Sequence, residues 1–188
     1  MHPYFLQSFV DFRFHAMSRI LYLLRHAHAG RSHLSLSDFD RPLSDRGRKA
    51  ASRMAAYMKQ QGLTPTLVLC SSARRAAETW DLMSPAFNPD IAIEQQRGLY
   101  LASSGQLLAA LKPVPATVER LLVVAHNPGI AELALSLAGP GSTPQALEEL
   151  QEHYPPAALA EFHLTADSWS KMANSAGRLE RFIQPSEL

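Results

Sequence analysis

One cysteine, Cys70, stands in 188 residues. A lone thiol excludes an intramolecular disulfide and fits a reducing, cytoplasmic setting. It lies in the run Leu67-Val68-Leu69-Cys70, where a free cysteine reads as a core residue. No apolar run approaches the ~20 residues that a membrane span requires. Neither sign of charge is in excess: 18 Lys and Arg face 17 Asp and Glu, for a net +1 with histidines neutral. That balance points to neither nucleic acid nor an acidic membrane surface as partner. No basic groove accompanies Trp80 and Trp169, which read as packing residues rather than a platform for bases. Internal repeats, low-complexity segments and an interdomain linker are absent, and the length fits one domain.

The first sixteen residues stand apart. Met1 to Ala16 is aromatic-rich, aperiodic and broken by Asp11 and Arg13, and it lacks the parts of a signal peptide. Met17 precedes the first strand directly, so residues 1–16 read as an N-terminal extension outside the core and 17–188 as the domain; a docking arm is the other use for such a segment.

What is present is a strand-to-charge transition that recurs. Ile20 to Leu24 is an apolar run that ends in Arg25-His26-Ala27-His28, and it reads as a buried strand of an α/β sheet. The carboxyl end of such a strand is where open α/β sheets place ligands. A turn-rich loop, Gly30 to Asp40, comes next with His33 near its start. Ser44 then caps a helix whose buried stripe is Ala50, Met54, Ala55 and Met58 and which Gly62 stops. Thr66 to Cys70 forms a second strand and runs into Ser71-Ser72-Ala73-Arg74-Arg75 at the start of a helix, a geometry that favours phosphate. Ile91 to Ile93 is a short third strand, and a helix capped at Ser103 or Ser104 carries Leu107, Leu108 and Leu111. Leu121 to Ala125 is the clearest strand and ends in His126-Asn127-Pro128-Gly129, ahead of a helix over Ile130 to Leu137. A short acidic helix, Gln145 to Glu152, and two late strands, Ala158 to Leu164 and Arg178 to Ile183, complete the chain.

If these strands are parallel, Arg25-His26, Arg74-Arg75 and His126 meet at one sheet edge. Each is unremarkable alone, as a loop histidine or a surface arginine. Together their chemistry is complementary: arginines hold the non-bridging oxygens of a phosphoryl group, one histidine attacks phosphorus and the other hydrogen-bonds an oxygen. The pair His26-x-His28 suggests a metal site only if further ligands lie at workable spacing, and none does. No metal and no cofactor is therefore expected. His153 and His163 read as a helix-end and a strand residue.

At these residues the chain resembles the histidine phosphatase superfamily, whose phosphoglycerate mutase members share the core. Arg25-His26, the Ser-x-x-x-Arg-Ala-x-x-Thr element from Ser71 to Thr79, and Val124-Ala125-His126 carry the likeness. Within the superfamily it is most similar to small bacterial phosphohistidine phosphatases of the SixA type. Leu23 to Ala27, Asp38 to Gly47, Leu99-Tyr100, His126 to Gly129 and the terminal stretch from Gly177 support that, over about residues 17 to 188. The resemblance implies a three-layer α/β/α sandwich with a mostly parallel sheet. It implies His26 as a nucleophile that becomes a transient phosphohistidine, and Arg25, Arg75 and His126 as the phosphate pocket. Arg75 is preferred to Arg74 because Ala76 and Thr79 succeed it in the family's pattern. Arg41, Ser71, His28 and Asn127 are implied near substrate.

The chain departs from mutases and many acid phosphatases of the superfamily, which carry a carboxylate after the third strand as general acid. The corresponding stretch, Glu94 to Tyr100, offers no clear match, leaving Glu94 and Asp38 as candidates. An alkoxide leaving group needs a proton, whereas imidazole departs neutral from phosphohistidine once its other nitrogen is protonated. The expected substrate is therefore phosphohistidine on a protein, or a small phosphorylated compound. A broad-specificity phosphomonoesterase and a non-catalytic phosphate-binding module are the alternatives.

Overall fold

The computed structural model describes residues 19–30 and 37–188. The expected extension over residues 1–16 and the loop histidine His33 lie outside the described residues.

Six strands form one sheet in the order β3-β2-β4-β1-β5-β6. They are β1 (Ile20–Arg25), β2 (Leu67–Ser71), β3 (Ala92–Gln96), β4 (Arg120–Ala125), β5 (Leu159–Leu164) and β6 (Gly177–Ile183). The pairs β1–β4, β2–β4 and β2–β3 are parallel, whereas β5 runs antiparallel to β1 and to β6. The helices are α1 (Asp45–Gln60), α2 (Arg74–Met83), α3 (Ser104–Leu111), α4 (Gly129–Leu137) and α5 (Pro144–Glu152).

Strand side chains alternate between faces, and the register keeps like with like. Leu21 and Leu23 lie across from Leu121 and Val123, which in turn face Leu67 and Leu69. All of these pack with α3, α4 and α5. The alternate residues Tyr22, Leu24, Leu122, Val124, Val68 and Cys70 pack with α1 and α2. Two cores on opposite faces of one sheet make the expected three-layer α/β/α sandwich. Trp80 and Trp169 are buried packing residues, and Cys70 is fully buried, its thiol pushed up to about 12 by desolvation.

Local signals act as expected at several ends. Ser44 Oγ accepts from the Gly47 amide, Ser103 caps α3 in a reciprocal box with Gln106, and Gly62 adopts a positive φ just past α1. The third strand differs from expectation. It extends to Gln96 instead of ending at Ile93, because β2 supplies hydrogen bonds as far as Ser71. It is an edge strand with mostly exposed side chains, so its sequence lacks the apolar pattern of a buried one. Among the described residues no helix is long and apolar enough to cross a membrane.

Candidate active site

Parallel pairing brings the ends of β1, β2 and β4 to one sheet edge, and the charged residues just beyond them surround a cavity of about 300 Å³. Arg25, His26, Arg75 and His126 all line it, as do His28, Asp38, Arg41 and Asn127. His26 is 8% exposed, Arg75 4% and His126 1%, so these polar groups act in a setting with little water to weaken them.

His26 has a defined tautomer. Its Nδ1 lies 2.7 Å from the Ala27 carbonyl oxygen. A carbonyl only accepts, so Nδ1 holds the proton and Nε2 keeps its lone pair. Arg75 Nε donates to that Nε2 at 3.2 Å. The ring stays neutral: burial first, then His126 and the nearby Arg75 and Arg25, push its pKa down to about 3. The His126 ring, centred 4.8 Å from that of His26, is likewise held near 3, by burial and then by Arg75.

The arginines are anchored from behind. Arg25 Nη1 donates to the Tyr154 carbonyl oxygen at 2.7 Å, and Asn127 Nδ2 donates to the same oxygen at 3.1 Å. Arg75 spends Nη1 on the Asp38 carbonyl oxygen at 2.6 Å and Nη2 on Asp38 Oδ2 at 3.1 Å. Asp38 also accepts from the Tyr100 hydroxyl at 2.7 Å and from Arg41 Nη1 at 2.8 Å. Tyr100, then Arg41 and Arg75, hold its carboxyl down at about 2. Arg25 Nε, His126 Nδ1 and Asn127 Oδ1 are buried without a partner among the described residues. Of these, Arg25 Nε and, in the tautomer that carries its proton there, His126 Nδ1 are donors suited to an oxyanion, whereas Asn127 Oδ1 can only accept.

Two expected residues take other places. Ser71, expected near substrate, is fully buried and does not line the cavity. Its Oγ lies 2.8 Å from His126 Nε2 and accepts from the Ala73 amide at 3.3 Å, so it steadies His126 from behind. Glu94 is an exposed residue of β3, hydrogen-bonded by Gln96 and away from the cavity. Arg74 is exposed and paired with Glu78 at 2.7 Å, which leaves Arg75 as the member of that pair that lines the cavity. His28 reaches the cavity mouth with its Nδ1 2.8 Å from Ser44 Oγ.

Tyr154 went unnoticed in the sequence, although it anchors both Arg25 and Asn127 and donates its own hydroxyl to the Leu23 carbonyl oxygen. It precedes Pro155-Pro156 in a turn, with no local pattern to mark it. Only the antiparallel return of β5 beside β1 brings it to the site.

Two close approaches fix the strand ends. A β-carbon on Gly47 would overlap the His28 carbonyl oxygen, and one on Gly129 would overlap that of Ala102. Glycine at both positions lets α1 and α4 seat directly against the loops that carry the site.

A family model described as the histidine phosphatase superfamily (branch 1) matches residues 21–103. An uncharacterized protein of Mycobacterium tuberculosis (strain H37Rv) is 30% identical over 151 residues, which cover 80% of this chain and 92% of that one. Among solved structures, the SixA protein of Nakamurella multipartitia, named for a proposed phosphohistidine phosphatase activity, is 27% identical with a TM-score of 0.78. That match covers 89% of this chain and 96% of the other. A protein histidine phosphatase SixA complexed with tungstate is 25% identical with a TM-score of 0.72, over 89% of this chain and 98% of the other.

Proposed function

Because the chain belongs to the histidine phosphatase superfamily, we propose that it is a phosphohistidine phosphatase that works through a covalent phosphoryl group on His26. The observation that carries this reading is the state of His26: a neutral ring, Nδ1–H tied to Ala27, and an unprotonated Nε2 facing Arg75.

In the first step Nε2 attacks phosphorus in line and the bond from phosphorus to the substrate's nitrogen breaks. Arg25, Arg75 and His126 hold the non-bridging oxygens, which supplies the placement and charge stabilisation that phosphoryl transfer requires. Asp38 and its bonds to Arg75 give way to the phosphoryl group as it enters. In the second step water adds to phosphorus, the Nε2–P bond breaks and its electron pair returns to Nε2. The proton on Nδ1 lets His26 depart as neutral imidazole, and the water's proton leaves on inorganic phosphate.

A P–N substrate is favoured by the state of Asp38. It is the carboxylate that lines the cavity, and Tyr100 and Arg41, which still donate to it when Arg75 turns to the phosphoryl group, keep it ionised, so it has no proton to give. An alkoxide would leave slowly from such a site. The imidazole of a substrate whose other ring nitrogen is protonated needs no such donor.

The test is phosphate release, with chelator present, from a phosphohistidine-bearing protein and from a panel of phosphate monoesters, using wild type and His26→Ala. Fast His26-dependent release from phosphohistidine is expected. Preferred turnover of monoesters would overturn the substrate class and turn attention to Asp38 as an acid. No release from any substrate would overturn the enzyme reading in favour of a phosphate-binding module.

A further inference from the structure

A second depression of about 490 Å³ adjoins the phosphoryl cavity, and His28 and Pro156 line both. Its floor is one face of α1. Arg46, Ala50 and Arg53 fall at helical spacing, with the two guanidiniums exposed on either side of the buried alanine. Pro155 and Pro156 form the end next to the catalytic cavity, and the turn from Gln184 to Ser186 forms the far wall.

The charge of this groove is one-sided. Arg46, Arg53, His28 and His153 line it, and no lining residue carries a carboxylate. Neither Arg46 nor Arg53 pairs with an Asp or Glu side chain among the described residues; Arg53 donates to an oxygen of Leu188, the last residue, at 3.2 Å, a contact for which an acidic partner would compete. In a chain with 18 basic and 17 acidic residues this is a local arrangement and not a general excess. Several other exposed cations do meet carboxylates: Arg74 and Arg48 share Glu78, Arg41 takes Asp38 and Lys171 takes Asp167.

We infer that this groove docks an acidic polypeptide segment lying beside the phosphorylated residue of a protein substrate. The inference rests on the phosphohistidine reading above and adds the partner's chemistry and path. With the phosphoryl group at His26, the substrate chain passes His28 and Pro156 and continues along α1, where Asp or Glu side chains meet Arg46 and Arg53. Complementary charge at such a rim acts mainly on encounter and affinity, so it belongs in KM and leaves the chemical step alone.

The experiment uses the full chain and three substrates: the small compound phosphoramidate, and two peptides of equal length that carry phosphohistidine succeeded by glutamates or by alanines. Wild type is compared with Arg46→Gln/Arg53→Gln and with the charge reversal Arg46→Glu/Arg53→Glu, each checked by its melting curve. Wild type should prefer the glutamate peptide by on the order of fivefold in KM, with kcat equal. The Gln variant should erase that preference, the Glu variant should invert it, and both should turn over phosphoramidate as wild type does. Equal KM for the two peptides in wild type would overturn the docking inference while leaving the phosphatase reading intact. Loss of phosphoramidate turnover in a folded variant would also overturn it, by assigning these arginines to the phosphoryl pocket. Failure of wild type on all three substrates would overturn the phosphatase reading itself.

Discussion

The ends of β1 and β4 lie side by side, Arg25 in register with Ala125, and each strand passes straight into a histidine. The two rings are close, both buried and both held neutral, yet their surroundings differ. His26 is tied by Nδ1 to a backbone carbonyl one residue away, which leaves Nε2 unprotonated, its lone pair accepting from Arg75 Nε. His126 is tied by Nε2 to a side chain, Ser71, that arrives from β2, which leaves Nδ1 as its free polar atom. The same residue type at equivalent strand ends is thus given two settings, which suit the nucleophile and the oxygen-holding group of the proposed mechanism. What differs is the nitrogen that the protein has occupied.

The largest effect expected is at the first of these ends. His26→Ala should abolish turnover and any acid-labile phosphoryl label on the protein. In His126→Ala the label should still form, with turnover lower by on the order of 10²–10³, as for loss of one stabilising donor at an oxyanion site. Rapid-quench labelling separates the two, and equal loss of label in both would erase the distinction drawn here. Ser71→Ala tests the same contrast more gently. Freed of its anchor, His126 should cost roughly tenfold in kcat with KM little changed, since each tenfold corresponds to about 1.4 kcal/mol, the scale of one hydrogen bond.

Packing provides a matched pair of tests. Gly47→Ala at the β1 side and Gly129→Ala at the β4 side each force a methyl against a loop carbonyl. Each should cost about 1–3 kcal/mol of stability, read in denaturant melts. Acid stability provides the last test. Both histidines have folded-state pKa values near 3 against about 6.5 when unfolded, so the unfolded chain binds more protons between those values. Stability from this source is complete above pH 6.5 and falls as pH drops towards 3. His126→Ala should show a shallower loss over that window than wild type, tracked by thermal melts at a series of pH values.

Much of this site could be read from the chain because it lies where strands end. The apolar runs Leu21 to Leu24 and Leu121 to Ala125 announce buried parallel strands, and the residues just past neighbouring parallel strands all emerge at one sheet edge. Arg25-His26, Arg74-Arg75 and His126 could therefore be collected from the chain alone, and the resemblance to the family's pattern singled out Arg75 from its pair. The helix caps at Ser44 and Ser103 are legible for a similar reason, since each bonds only three residues ahead. Illegible were the contacts that cross the chain. Asp38 reaches Arg75 and Tyr100 from distant segments, and these partners help hold its carboxyl in the ionised form. Ser71 sits in the motif beside the phosphate-directed arginine, but strand alternation turns its side chain inward to His126. The edge strand β3 hid its length because water covers most of it.

The antiparallel placement of β5 has a consequence for how the protein comes into being. The amides of Arg25 and Ala157 exchange hydrogen bonds with the carbonyls of Ala158 and Arg25, and Tyr154 just upstream grips the Arg25 guanidinium. A ribosome delivers His26 early and these supports some 130 residues later. Domains generally fold as units during synthesis, and here the unit cannot close around His26 until β5 has emerged. A nascent chain that already carries all three strand ends still lacks the wall at Tyr154 to Pro156, so the cavity is completed by about the last fifth of the polypeptide and not by the histidine itself.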